Sequence, residues 1–231
     1  MHFDELKILK VIGGKIISRS DAVIRESEVI IKIDGRMHRQ LSCLIENLEE
    51  LTLGHLFAEG IASPSDIDIT VDGNTISVYR KRCSRAQKPA IIESRLQVTD
   101  DQILRWIKEL DRNCPLHTRT GCTHIVGIVY NDSIFFVEDI SRHCAIDKAI
   151  GAAVRKGIDL SGCVIVTSCR QTISTMRKAI AAGIPIVASL AAPTTLSVNE
   201  ALKYGVTLIG FARGNEFNIY SHPERVVPCR R

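Results

Sequence analysis

The chain has 231 residues, 45% hydrophobic and 24% charged, with a formal net charge of +4, the profile of an ordinary soluble globular protein with one large or two small domains. No apolar run approaches the roughly 18 residues that a bilayer span needs, and the opening Met-His-Phe-Asp-Glu-Leu-Lys lacks the basic-then-apolar order of a signal peptide, so a cytoplasmic protein without a membrane partner is expected. The mild positive charge suits a small anionic ligand and is too weak to argue for nucleic acid.

Residues 29–33 and 36–41 flank Asp34-Gly35, and residues 67–71 and 75–79 flank Asp72-Gly73-Asn74, so both pairs read as β-hairpins. Between them Leu48, Leu51, Leu56 and Phe57 recur at near-helical spacing up to a stop at Gly60. Residues 1–82 therefore read as a small β-rich α+β domain. Residues 83–98 follow as a mobile basic loop or linker, polar and without a clear period.

From Thr99 the pattern changes. Asp100 and Asp101 open a helix carried by Ile103, Leu104, Ile107 and Leu110. The spacing then predicts strand 125–130, a turn at Asn131-Asp132, strand 134–138, helix 142–156, strand 163–167, helix 171–182, strand 185–189, helix 196–204 and strand 206–211. Strands alternating with helices make residues 99–231 a three-layer α/β/α domain, and the early hairpin makes its sheet mixed.

Ligands of such sheets sit beyond the strand C-termini. Four consecutive strand ends carry Glu138-Asp139 before Arg142, then Thr167-Ser168-Cys169-Arg170, then Ser189 to Thr195, then Phe211-Ala212-Arg213-Gly214-Asn215. Hydroxyls, guanidinia and small residues in those places suit phosphate or a nucleotide. The run Glu138 to Lys148 packs carboxylates, Arg142, His143, Cys144 and an ammonium between strand and helix, and its alternative reading is a capped helix with a solvated first turn. Ser168 could likewise be a simple helix cap.

Eight cysteines are scattered, partly inside apolar runs, and read as reduced small hydrophobes. Cys83 differs, because Arg80, Lys81, Arg82, Arg85 and Lys88 surround it and nearby positive charge favours the thiolate. It reads either as an exposed nucleophile or as a cysteine in a solvated basic loop. Cys114, His117, Cys122 and His124 offer four possible zinc ligands within eleven residues, but Cys-x-His is an unusual zinc spacing. No metal is expected, and His124 reads as a pocket-lining or core-bonded residue. The His-x-Glu with Pro-Cys-x-x-Cys set of zinc deaminases, the P-loop and the dinucleotide fingerprint are all missing from the sequence.

Several ordered motifs resemble the FdhD/NarQ family of formate dehydrogenase accessory sulfurtransferases: Asn47-Leu48-Glu49-Glu50-Leu51 with Gly54 and Glu59-Gly60-Ile61, then Thr120-Gly121-Cys122-Thr123-His124. They continue through Glu138-Asp139, Arg142-His143, Asp147-Lys148, Ser168-x-Arg170, Lys178-Ala179, Ala182-Gly183, Ala192-Pro193-Thr194-Thr195 and Thr207 to Phe211. The resemblance implies transfer of a persulfide sulfur from a cysteine desulfurase to the molybdenum or tungsten bis-pterin guanine dinucleotide cofactor (Mo-bis(molybdopterin guanine dinucleotide) or its tungsten analogue), bound as substrate, before formate dehydrogenase receives it. It implies a cytidine-deaminase-like C-terminal domain without zinc, a homodimer, and guanine-nucleotide binding at Phe211, Ala212, Arg213, Gly214, Asn215 and Glu216, where a GDP-like nucleotide would mimic the cofactor.

Many family members carry Cys-Gly-x-Cys-Gly in the interdomain loop, whereas here Cys83 is followed by Ser84, Arg85 and Ala86. Cys83 is expected to bear the persulfide alone, since the thiolate is the attacking species. Arg142, His143, Ser168, Arg170, Thr194, Thr195 and His124 are expected to line the cofactor site. The alternative is a non-catalytic binding protein or chaperone for the same cofactor; a third reading, a zinc-stapled binding protein, rests on the Cys114 to His124 cluster.

Overall fold

The computed structural model describes residues 2–81 and 89–229; Cys83, expected to be the nucleophile, lies outside the described residues. The chain opens with a feature that the sequence reading did not contain. Strands β1 (Phe3–Ile12) and β2 (Lys15–Ile24) pair antiparallel through Gly13-Gly14, whose φ angles of 54° and 77° are the left-handed values that a two-residue hairpin turn demands. Leu9, Val11 and Ile16 toward its tip are exposed.

Strands β3 (Ser27–Ile33) and β4 (Arg36–Cys43) form the Asp34-Gly35 hairpin, and β5 (Ile67–Asp72) and β6 (Thr75–Arg80) form the second predicted one. They join in a four-stranded sheet of order β4-β3-β6-β5 with β3 and β6 parallel. Helix α1 (Leu48–Ala58) covers it, burying Leu51 and Leu56 against Val29, Ile31, Ile76 and Val78. Beyond the undescribed segment, residues 92–94 are pinned by buried Arg225, which donates to the Ile92 and Ser94 carbonyls at 3.2 Å each.

The second sheet follows β7 (Val98–Thr99) and α2 (Asp100–Arg112), which starts in a Thr99/Gln102 capping box. In chain order come α3 (Pro115–Thr120), β8 (His124–Tyr130), β9 (Ser133–Asp139), α4 (Arg142–Arg155), β10 (Val164–Thr167), α5 (Ile173–Ala181), β11 (Ile186–Ser189), α6 (Thr195–Tyr204), β12 (Thr207–Arg213), β13 (Glu216–Ser221) and β14 (Val226–Val227). The sheet order is β13-β12-β11-β10-β8-β9, with β10, β11 and β12 parallel and the other pairs antiparallel. Helices α4, α5 and α6 share one core with one face, and α2 shares another core with the opposite face. This is the expected three-layer mixed α/β/α arrangement. Helix α3, β13 and the short β7/β14 pair go beyond the elements expected from sequence, and α5 starts two residues later than expected, where Gln171 bridges to Pro193.

The two sheets meet through α1 and α4. A Cβ at Gly54 would lie 1.9 Å from the Asp147 carbonyl oxygen, and one at Gly151 would lie 1.9 Å from that of Glu50. The backbones touch where two glycines face each other, and this contact sets how the small sheet sits on the α/β unit.

Candidate cofactor-binding edge

Because β10, β11 and β12 run parallel and β8 runs against them, the C-terminal ends of β9 to β12 and the N-terminal ends of β8 and β13 lie along one edge. That edge carries His124 and its pairing partner Asp139, Arg142 and His143 in the first turn of α4, Ser168, Arg170, Thr194, Thr195 and the β12–β13 hairpin. Four strand spacings separate β12 from β9, about 19 Å, so the residues line an extended rim rather than a compact pocket.

At one end of the rim, Phe211 has a φ of 54° at a bulge in β12 and is 40% exposed. A bulky residue held in the left-handed region on the surface is an outlier that favours a functional explanation. Packing enforces it: a Cβ at Gly210 would lie 2.9 Å from Pro193, and the Phe211 N–H donates to the Ala191 carbonyl at 3.3 Å. Arg213 donates to the Leu190 carbonyl at 3.1 Å with its guanidinium 5.7 Å from the Phe211 ring centre, and Gly214 makes the turn to Glu216. Phe211, Arg213, Gly214, Asn215 and Glu216 are exposed, while the Ala212 side chain is buried in the core, leaving only its backbone for a ligand.

In the middle, Ser168 does not cap α5; Thr172 holds the cap position. The Ser168 hydroxyl accepts the Ile125 N–H at 3.1 Å, so its own proton remains to be donated, and Arg170 beside it is exposed. Thr194 caps α6 by accepting the Ser197 N–H at 3.3 Å, and Thr195 follows it, exposed, at the first helical position.

At the other end, the Glu138 to Lys148 run divides between architecture and site. Glu138 accepts the backbone N–H groups of Leu116 and His117 and the Thr123 hydroxyl, which fastens α3. Asp139 is fully buried and takes Lys148 Nζ at 2.6 Å, the Ser141 N–H at 2.8 Å and the Leu44 N–H at 3.2 Å. Burial pushes its carboxyl up, against the pull of Lys148 and two amides. Asp147 receives Lys178 Nζ at 2.6 Å and faces His55 Nδ1 at 3.5 Å.

Arg142 and His143 are left for the rim. Arg142 keeps a buried Nε without a hydrogen-bond partner. Burial lowers His143, and Lys178 and Arg142 lower it further; burial likewise lowers His124, followed by Arg142, His117 and Arg170. Both imidazoles are therefore neutral near pH 7, and the positive charge of the rim comes from Arg142, Arg170 and Arg213. That set of guanidinia, hydroxyls and one ring can hold phosphates and an aromatic base.

Sequence reasoning missed His38 and His55, whose rings lie 5.5 Å apart, and the contact of Cys144 with the peptide that leads into Cys43. Residues far apart in the chain make both, so no local pattern announces them. Of the five cations around Cys83, Arg80 pairs with Asp34 and Lys81 with Asp68, each at 2.7 Å, while the other three lie outside the described residues. His117 Nδ1 lies 2.7 Å from the Thr123 carbonyl and the Cys114 thiol donates to the Asp111 carbonyl; among the described residues no group of three or more metal-ligating side chains occurs.

The FdhD/NarQ family model matches residues 70–227. The chain is 32% identical over 228 residues to a sulfur carrier protein FdhD of Methanothermobacter thermautotrophicus, covering 90% of this chain and 92% of that one. It is 30% identical over 258 residues to the protein of the same name from Bordetella bronchiseptica, covering 95% and 93%. A crystal structure from Desulfotalea psychrophila, assigned as a formate dehydrogenase accessory protein, is similar with a TM-score of 0.88 and 26% identity over 98% of this chain and all of that one.

Proposed function

The chain belongs to the FdhD/NarQ family, and from that premise we propose that it is a sulfurtransferase in formate dehydrogenase maturation, carrying sulfur on Cys83 to a bis-pterin guanine dinucleotide cofactor of molybdenum or tungsten. The relatives named as sulfur carriers support the carrier role, and the rim supports a long, phosphate-bearing substrate. As a thiolate, Cys83 attacks the sulfane sulfur of a cysteine desulfurase persulfide, and the donor thiolate leaves. The Cys83 persulfide then presents its outer sulfur to the cofactor held as substrate. Arg142, Arg170 and Arg213 bind the phosphates, Ser168 and Thr195 donate hydrogen bonds, and Phe211 with residues 212–216 takes the guanine. Neutral His124 and His143 donate or accept at the pterin end without adding charge. Transfer from a carried sulfur to an acceptor already bound is effectively unimolecular.

The observation that carries this reading is the strained, exposed Phe211 on the same strand-end rim as Arg142 with its unpartnered Nε. Guanosine diphosphate, standing in for one end of the cofactor, is the test ligand. Phe211→Ala is expected to weaken its binding at least tenfold by calorimetry, consistent with about 1–3 kcal/mol for stacking on one base. Unchanged affinity would remove the guanine site from this strand. The reading also takes the chain as a homodimer acting with the desulfurase and the dehydrogenase, and the exposed apolar tip of the β1–β2 hairpin supports a protein contact there. Because the sequence around Cys83 has one cysteine where many relatives have two, a cofactor-binding protein without sulfur transfer is the second reading, and sulfur loading on Cys83 separates the two.

A further inference from the structure

Two thiols meet where the small sheet touches α4. Cys43 is the last residue of β4 and Cys144 the third of α4, and both are almost wholly buried, at 0% and 1% exposure. Cys144 belongs to the core beneath the four-stranded sheet, unlike the α4 residues Ala145, Ile146 and Ala149 that follow it. Its Sγ lies 3.9 Å from the Ser42 carbonyl oxygen, in the peptide group that leads into Cys43, so the two cysteines are neighbours in that core. The Leu44 N–H donates to Asp139 at 3.2 Å and Lys148 donates to the Leu44 carbonyl at 2.8 Å, so residues 42–44 are clamped against the helix. The neighbouring thiol pushes Cys43 up, with burial adding to it, and draws Cys144 down against the opposing effect of burial.

A cleft of about 470 Å³ opens beside the pair, lined by Ser42, Ser141, Cys122, Glu26, Gln40 and Leu41 among others. Ser42 precedes Cys43 in the chain, and the Ser141 hydroxyl accepts the Cys144 N–H at 3.4 Å, so the cleft abuts residues in contact with both cysteines. Hydrogen peroxide is little larger than water and fits such a cleft.

We propose that Cys43 and Cys144 are a redox pair that hydrogen peroxide closes to a disulfide, tying β4 to the turn that carries Arg142 and His143. The Cys144 thiolate attacks one peroxide oxygen, the O–O bond breaks, and hydroxide leaves, giving a sulfenic acid. The Cys43 sulfur then attacks the Cys144 sulfur, an S–S bond forms as the S–O bond breaks, and the displaced hydroxide departs with the Cys43 proton as water. In sum two thiols lose two electrons and hydrogen peroxide becomes two waters. The pair is independent of the cofactor reading, because both cysteines lie in the core under the four-stranded sheet.

The test is to expose the full chain to hydrogen peroxide, remove the excess, alkylate under denaturing conditions and map peptides by mass. The expected result is a linked 43–144 peptide that dithiothreitol reverses, with a melting temperature that rises on oxidation and falls on reduction. In Cys43→Ser, a dimedone adduct on Cys144 is expected in place of the link. If that variant does not fold, the wild-type map alone decides. Full alkylation of both Cys43 and Cys144 under conditions that oxidise exposed Cys122 would overturn the proposal, as would linkage of Cys144 to Cys122 or Cys83.

Discussion

Single side chains in the 138–148 run show how an ionic cluster in sequence separates into two jobs. Lys148 is 1% exposed and its ammonium serves Asp139 and the Leu44 carbonyl, so Lys148→Met would leave a buried carboxylate without a cation. Breaking a buried pair in this way typically costs about 3–5 kcal/mol, and that loss is expected in urea unfolding, with partial recovery in the Lys148→Met, Asp139→Asn double variant. A loss under about 1 kcal/mol would show that the clamp contributes little. His124 and His143 titrate the other way. Their folded pKa values lie below the ordinary 6.5, because burial disfavours the imidazolium in each. As pH falls below about 6.5 the unfolded chain takes up protons that the folded one refuses, so stability is lost from there down to the folded pKa values. His143→Gln should therefore flatten the fall of melting temperature between about pH 7 and 5.5; an unchanged slope would contradict the assignment. Which of the clustered groups were structural was not legible in the run, because Leu44, His55 and Lys178 reach it from other elements.

At the scale of elements, local chemistry announced most of the sheet architecture. Asp34-Gly35 turns at φ values of 48° and 79°, and Asn131-Asp132 at 49° and 60°, so these turn residues marked real hairpins. The β1–β2 hairpin escaped notice because its apolar residues divide between two open faces, with Leu6, Ile8 and Ile12 on one and Leu9, Val11 and Ile16 on the other, so no period-two pattern marks a buried side. Helix α3 escaped because it has six residues and Glu138 fastens its start from another strand. The α1–α4 crossing yields a sharp expectation. Gly54→Ala would put a methyl group 1.9 Å from a backbone oxygen, which only separation of the helices relieves, and a loss of at least about 2 kcal/mol is expected in chemical denaturation. A change under about 0.5 kcal/mol would mean that the helices part freely.

For the whole molecule, two sheets joined by a glycine-to-glycine helix contact present a rim roughly four strand spacings long, and the rim was legible because alternating strands and helices dictate where strand ends gather. Sequence did not reveal that Phe211 would be forced to a positive φ, since this depends on the 191–193 loop pressing against Gly210. Nor did it reveal that the cleft beside Cys122 would be walled by both parts of the chain. In the proposed function Cys83 carries sulfur to that rim. Intact-mass analysis after incubation with a cysteine desulfurase and cysteine measures it directly. A cyanide-labile gain of about one sulfur atom per chain is expected in the wild type and none in Cys83→Ser. A gain that persists in the serine variant, or no gain in the wild type, would contradict the claim.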